Sequence, residues 1–255
     1  MAQRGITLAL SSGGARGFCH IGVLKVLERH HIPVLGVAGS SMGGLVGALY
    51  CTGYTGSMIE ELALGLRRTH WIDFSVSKMG LVRGQKLLGL INLLTRGRTF
   101  EECQPPLKVV AVDIERGEEV VIDRGSVAEG VRATTSIPGI FSPFMKDERV
   151  LVDGGVLNRV PIALAQAIAE GPVVAVDAGI DMAPVVRSVF DILFQAFDIM
   201  ARELRQYKPV IADVLIEPSL PNARDAQFTR VKEFIRAGEE ACEAKIGEIV
   251  EKLGE

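Results

Sequence analysis

Gly39-Ser40-Ser41-Met42-Gly43 places a hydroxyl between two glycines where an apolar run gives way to another. The preceding run, Val34 to Ala38, reads as a buried strand, and Gly43 to Cys51 reads as a helix. GxSxG between strand and helix describes a nucleophile elbow, a turn so tight that its flanking positions must lack bulky side chains. It would hold Ser41 in a strained conformation with Oγ at the helix N-terminus, where the dipole favours developing negative charge. The chemistry this suits is acyl transfer through a serine. The competing reading is a glycine-rich turn that only packs a helix against a strand.

A second glycine loop lies upstream. Ser12-Gly13-Gly14-Ala15-Arg16-Gly17 follows the strand-like Ile6 to Leu10 and opens the helical Phe18 to His30. A dinucleotide site would need an acidic residue at the end of the next strand, but that strand ends Val37-Ala38-Gly39-Ser40. A P-loop would need Gly-Lys-Ser/Thr, which is absent. Both phosphate readings therefore fail. Beside a serine nucleophile, the backbone of Gly13 and Gly14 can supply N–H donors to an oxyanion, and Ala15, Arg16 and Gly17 complete the loop. Arg16 either braces this loop, adds positive charge to it, or is a solvent-exposed residue of the first helical turn.

The serine needs a base. The four histidines are His20, His30, His31 and His70, so no late histidine exists to complete the usual α/β-hydrolase order. His20 reads as a packed or capping residue, and His30 and His31 close the same helix. Asp153 sits at the end of Val150-Leu151-Val152 and before Gly154-Gly155, where a tight turn can bring its carboxylate to the serine. Partial burial would raise its pKa and make it a better acceptor. Asp153 is the preferred base, with His20 and His70 as the remaining candidates. Taken alone, Asp-Gly-Gly is most often just a turn.

The elements that must hold these residues alternate. Strands are expected at Leu107 to Val112 and Glu119 to Ile122, paired through a turn at Glu115-Arg116-Gly117. Further strands are expected at Val173 to Val176 and Val214 to Ile216. Helices are expected at Val127 to Thr134, Ile162 to Ala169, Val189 to Gln206 and over most of Ala226 to Leu253. This predicts an α/β fold with a central, largely parallel sheet. Residues 70–104 fit the alternation least well. The apolar helix Leu87 to Leu94, flanked by Arg83, Lys86, Arg96 and Arg98, reads first as a surface helix packed on the core. A lid that meets lipid is compatible with the same pattern.

Composition narrows the function classes. The 255 residues hold 28 Lys and Arg against 31 Asp and Glu, a net charge of -3 that gives no case for nucleic-acid binding. Cys19, Cys51, Cys103 and Cys242 lie too far apart for a zinc motif or disulfide framework. They read as reduced thiols of a cytoplasmic protein. No signal-peptide pattern opens the chain. Ile32 to Ile59 has no charged side chain, but its proline and glycines favour a buried strand, turn and helix over a membrane span.

Together the ordered motifs SGGARG with HIGVLKVLE, GSSMG and DGG, and the stretch Ala133 to Phe141, resemble the patatin-like phospholipases. That family includes the esterase domain of neuropathy target esterase and many small bacterial proteins. The likeness is strong over roughly residues 5–165 and weak beyond. It implies a three-layer α/β/α domain spanning residues 1–255, with residues 187–255 a helical completion. It also implies a lipid acyl hydrolase with a Ser-Asp dyad. By motif position Ser41 is the nucleophile, in an elbow of Gly39 and Gly43, and Asp153 is the base, in the turn of Gly154 and Gly155. Gly13, Gly14, Ala15, Arg16 and Gly17 form the oxyanion and substrate-binding loop. No metal or organic cofactor is implied. The partner is a lipid or other acyl ester, with any membrane contact transient and peripheral. Two positions depart from the family pattern: Ser11-Ser12 stands where glycines are usual, and Asn158-Arg159 where two asparagines are common. Alternatives are a small-molecule carboxylesterase or thioesterase, or a non-catalytic protein with residues 187–206 as a partner surface.

Overall fold

The computed structural model describes residues 4–179, 186, 189–207, 209–220 and 228–254. Its strands and helices alternate as the hydrophobic pattern requires. In chain order they are β1 (Ile6–Leu10), α1 (Cys19–Arg29), β2 (Val34–Ser40), α2 (Met42–Cys51), α3 (Gly56–Gly65), α4 (Arg68–Trp71), β3 (Phe74–Ser77), β4 (Gly80–Val82) and α5 (Gln85–Leu94). Then follow β5 (Leu107–Asp113), β6 (Glu118–Ile122), α6 (Val127–Thr134), β7 (Gly139–Phe141), β8 (Phe144–Lys146) and β9 (Arg149–Asp153). The last are α7 (Ile162–Gln166), β10 (Val173–Val176), α8 (Val189–Tyr207), β11 (Val214–Ile216), α9 (Val231–Glu243) and α10 (Ile246–Gly254).

Eight strands form the main sheet, in the order β11-β10-β1-β2-β5-β9-β8 with β6 also on β5. The five from β11 to β5 are parallel. Each is short, apolar and largely buried, as strands covered by helices on both faces must be. The antiparallel edge matters for the site. β5 extends past the end of β2, which reaches Val110 opposite Ser40. β9 returns alongside that overhang and ends with Asp153 opposite Ala111. A residue delivered from the opposite direction thus finishes at the level where β2 releases Ser41.

Ile32 to Ile59 is strand, turn and helix, with β2 and α2 buried in the core. Among the described residues no helix is long and apolar enough to cross a membrane. The four cysteines are free and buried. Three expectations shift. The helix expected to Ala169 stops at Gln166. The C-terminal helix is two helices, α9 and α10, and its expected start at Ala226 lies outside the described residues. Two helices, α3 and α4, and a small second sheet, β3-β4-β7, are not among the expected elements. The strands of that sheet are three and four residues long, too short to show an alternating pattern in sequence.

Candidate active site

Ser41 follows the last residue of β2 and caps α2 with φ 52° and ψ −120°, a conformation that strains any residue with a Cβ. Close packing imposes it. A Cβ on Gly39 would lie 2.5 Å from Gly44 Cα, and one on Gly43 would lie 2.2 Å from the Leu10 carbonyl oxygen at the end of β1. The turn is pinned from α6 as well. The Ser41 N–H donates to Thr134 Oγ1 at 2.9 Å, and that hydroxyl donates to the Val110 carbonyl at 2.5 Å.

Asp153 ends β9 facing this turn. Ser41 Oγ donates to Asp153 Oδ2 at 2.5 Å. The second carboxylate oxygen accepts the Gly155 N–H at 2.8 Å, and the Asp153 N–H donates to the Ser136 carbonyl at 3.0 Å. Both side chains are buried. Burial pushes the Asp153 carboxyl up to about 6, while the bonds from Ser41 and Gly155 and the nearby Arg159 charge pull it back only in part.

The pair opens into a cavity of about 50 Å³ lined on one side by Ser12, Gly13 and Gly14 and on the other by Ile137 and Pro138. Among the described residues, no acceptor takes the N–H of Gly13 or Gly14. Ser12 Oγ is also buried without a hydrogen-bond partner among them. The loop is tied down at both ends: the Ser12 N–H donates to the Arg159 carbonyl, and the Arg16 N–H to that of Gly13. Ala15, Arg16 and Gly17 are buried but do not line the cavity.

Arg16 is fully buried rather than solvent-exposed. Its Nη2 donates to both oxygens of Asp198, at 2.9 and 3.1 Å. Asp198 belongs to α8, which lies over the site and adds Phe194 and Phe197 to the lining. Arg159 also lines the cavity, donating Nη2 to the Gly179 carbonyl and placing Nη1 3.6 Å from Asp198 Oδ1. A second cavity of about 320 Å³ shares Gly155 and Arg159 with the first and is walled by Val160, Ile162, Leu204 and Val210.

The histidines stand elsewhere. His20 is fully buried, its Nε2 is 2.8 Å from the Ser11 carbonyl, and burial lowers its pKa to about 4. The ring is therefore neutral, and Nε2–H is the donor to that carbonyl. His70 is exposed and accepts the Arg67 N–H at Nδ1. Neither lines the cavity. Among the described residues no cluster of three His, Cys, Asp or Glu could hold a metal ion.

Residues that sequence reasoning missed are Thr134, Asp198, Phe194 and Phe197. Thr134 sits in the stretch that carried the family resemblance and offered a signal. The α8 residues offered none, because their partners are far away in the chain.

The sequence and the fold have counterparts. Residues 8–165 match the family model of the patatin-like phospholipases. An uncharacterized NTE family protein of Mycobacterium tuberculosis is 36% identical over 160 residues, covering 62% of this chain and 44% of that protein. The mouse patatin-like phospholipase domain-containing protein 6 is 31% identical over 182 residues, covering 68% of this chain and 13% of that protein. The chain thus spans less than half the length of these curated relatives. Among solved structures, VipD from Legionella pneumophila matches with a TM-score of 0.66 at 13% identity, over 98% of this chain and 68% of that one. ExoU of Pseudomonas aeruginosa, solved with SpcU, matches with a TM-score of 0.55 at 16% identity, over 98% and 53%. These two likenesses concern the fold. The chain belongs to the patatin-like phospholipase family.

Proposed function

We propose that this protein is a serine lipid acyl hydrolase, a phospholipase- or lysophospholipase-type esterase, with Ser41 as nucleophile and Asp153 as base. The observation that carries the reading is the Ser41 Oγ to Asp153 Oδ2 hydrogen bond, donated by a serine held in a strained turn and accepted by a buried carboxylate. As Oγ attacks the ester carbonyl, its proton passes to Asp153. The carbonyl oxygen, now negative, is met by the N–H groups of Gly13 and Gly14 and by the Ser12 hydroxyl. Collapse of the tetrahedral intermediate breaks the bond to the leaving alcohol, which takes the proton from Asp153. Water, deprotonated by the same carboxylate, then attacks the acyl carbon, and as the Ser41 Oγ–acyl bond breaks Asp153 returns the proton to Oγ and the acid is released.

The raised pKa supports this role, because a carboxylate near 6 is a stronger base than an ordinary one and is still ionised at neutral pH. The cavity of about 320 Å³ beside the site supports a lipid reading, since Val160, Ile162, Leu204 and Val210 give it an apolar part for a chain beside the polar Glu119, Arg159 and Asp177. A small-ester reading has one observation in its favour: the space directly at Ser41 is only about 50 Å³. The test treats the protein with a fluorophosphonate, locates the adduct by mass spectrometry, and follows turnover of esters of increasing acyl length. An adduct at Ser41, lost in Ser41→Ala, with turnover rising toward long chains, is expected. A folded protein that never labels refutes the hydrolase reading, and turnover confined to the shortest esters moves it to the small-molecule class.

A further inference from the structure

Charge is unevenly distributed along this chain. Its net charge is -3, yet residues 66–98 hold seven Arg and Lys against a single Asp. That one carboxylate is consumed locally: Asp73 accepts the N–H groups of Gly84, Gln85 and Lys86 at the start of α5. Arg67, Lys78 and Lys86 are exposed. The same segment turns large apolar side chains to solvent, with Phe74 75%, Met79 55% and Leu93 73% exposed. Large exposed apolar groups rimmed by basic ones are the composition of an interaction surface.

The segment is joined to the site wall. β4 pairs with β7, Gly80 opposite Gly139 and Val82 opposite Phe141. β7 directly follows Ile137 and Pro138, which line the Ser41 cavity. Buried Arg132 fixes the junction by donating to the carbonyls of Arg83, Gly84 and Ser142. On the far side of Gly139, Leu193 of α8 packs where a Cβ would stand, 3.1 Å away, and the neighbouring Ile192 is exposed.

We propose that the surface of residues 66–98 docks the protein on an anionic lipid bilayer. Arg67, Lys78 and Lys86 would meet phosphate headgroups, and Phe74 and Met79 would enter the boundary between headgroups and chains. The identity of the occupant rests on the lipid hydrolase reading and on charge complementarity. A neutral bilayer gives the basic excess nothing to pair with, whereas each Lys or Arg near an anionic surface contributes about 1 kcal/mol, roughly fivefold in affinity.

The test is co-flotation of the full chain with vesicles of phosphatidylcholine alone and of phosphatidylcholine mixed with phosphatidylglycerol. Fluorophosphonate labelling of Ser41 in vesicle-free buffer is followed in parallel. Binding to the mixed vesicles, weakening as salt rises, is expected. The double variant Lys78→Gln, Lys86→Gln should bind about thirtyfold more weakly, at roughly fivefold for each charge. Phe74→Ser should weaken binding while leaving the salt dependence in place. Both variants alter exposed side chains and should keep the melting temperature and the labelling of the wild type. Equal binding to neutral and anionic vesicles, no binding to either, or unchanged binding by the double variant overturns the proposal. Labelling without vesicle binding refutes the docking surface alone, and vesicle binding without labelling refutes the hydrolase reading alone.

Discussion

Around Ser41, position is set by backbone against backbone: the Leu10 carbonyl fills the space beside Gly43, and Gly44 fills the space beside Gly39. Over the same site, α8 is held both by apolar packing, with Leu193 and Phe194 against the core, and by charge. Asp198 pairs with Arg16, and Arg205 pairs with Asp177 at 3.1 Å and with Glu217 at 2.7 Å. The outer side of α8 exposes Ile192, Ile199 and Met200, whereas α2 below the elbow is almost wholly buried. Close backbone packing leaves one arrangement available to Ser41. A helix tied over the site partly by ion pairs is loosened when those pairs are lost. The difference teaches that the chemistry and the access to it are built from different interactions and can be perturbed separately.

Several substitutions break or sharpen that contrast. Asp153→Asn acts on the rigid side and should lower acylation by about a thousandfold, the scale of a lost general base, read from labelling rates. Stability should move the other way. The folded carboxyl titrates near 6, above an ordinary value of about 3.9. Its contribution to stability is full below the lower value and is lost as pH rises through the upper one. At pH 8 the wild type holds a buried charge, so Asp153→Asn should be more stable by on the order of 2 kcal/mol in denaturant unfolding.

Asp198→Ala acts on the cover. It removes the carboxylate that accepts both bonds from the buried Arg16 Nη2 and should destabilise the fold by about 3–5 kcal/mol. Ser12→Ala should slow acylation by about a hundredfold with little change in melting temperature, as loss of one oxyanion donor does. His20→Gln sharpens the rigid side through pH. The folded pKa of His20 is depressed to about 4, so its contribution is present above about 6.5 and lost as pH falls. The wild type should lose about 2 kcal/mol from this group between pH 8 and pH 5, and His20→Gln should remove that part of the slope. Ile199→Ser, on the exposed side of α8, should change stability by less than about 0.5 kcal/mol.

The rigid side was legible in sequence because its constraints are local. Gly39, Ser41 and Gly43 lie within one turn, and their neighbours carry the periods of a strand and a helix. Asp153 was legible as a turn residue. That it arrives on an antiparallel strand was not, because β9 is placed by its pairing with β5. The cover was illegible for the opposite reason. Asp198 lies 182 positions from Arg16, and nothing local distinguishes it from other charges of an amphipathic helix. The strands of the small sheet are too short for a period to declare itself. Arg16 was open to three readings, and only its buried carboxylate partner chooses bracing among them.

The central claim is that Asp153 takes the proton of Ser41, and the pH dependence of Ser41 acylation tests it most directly. Fluorophosphonate labelling should rise with pH through a single ionisation near 6, and that step should vanish, with the rate, in Asp153→Asn. Undiminished labelling in Asp153→Asn, or a pH step that survives that substitution, would contradict the dyad.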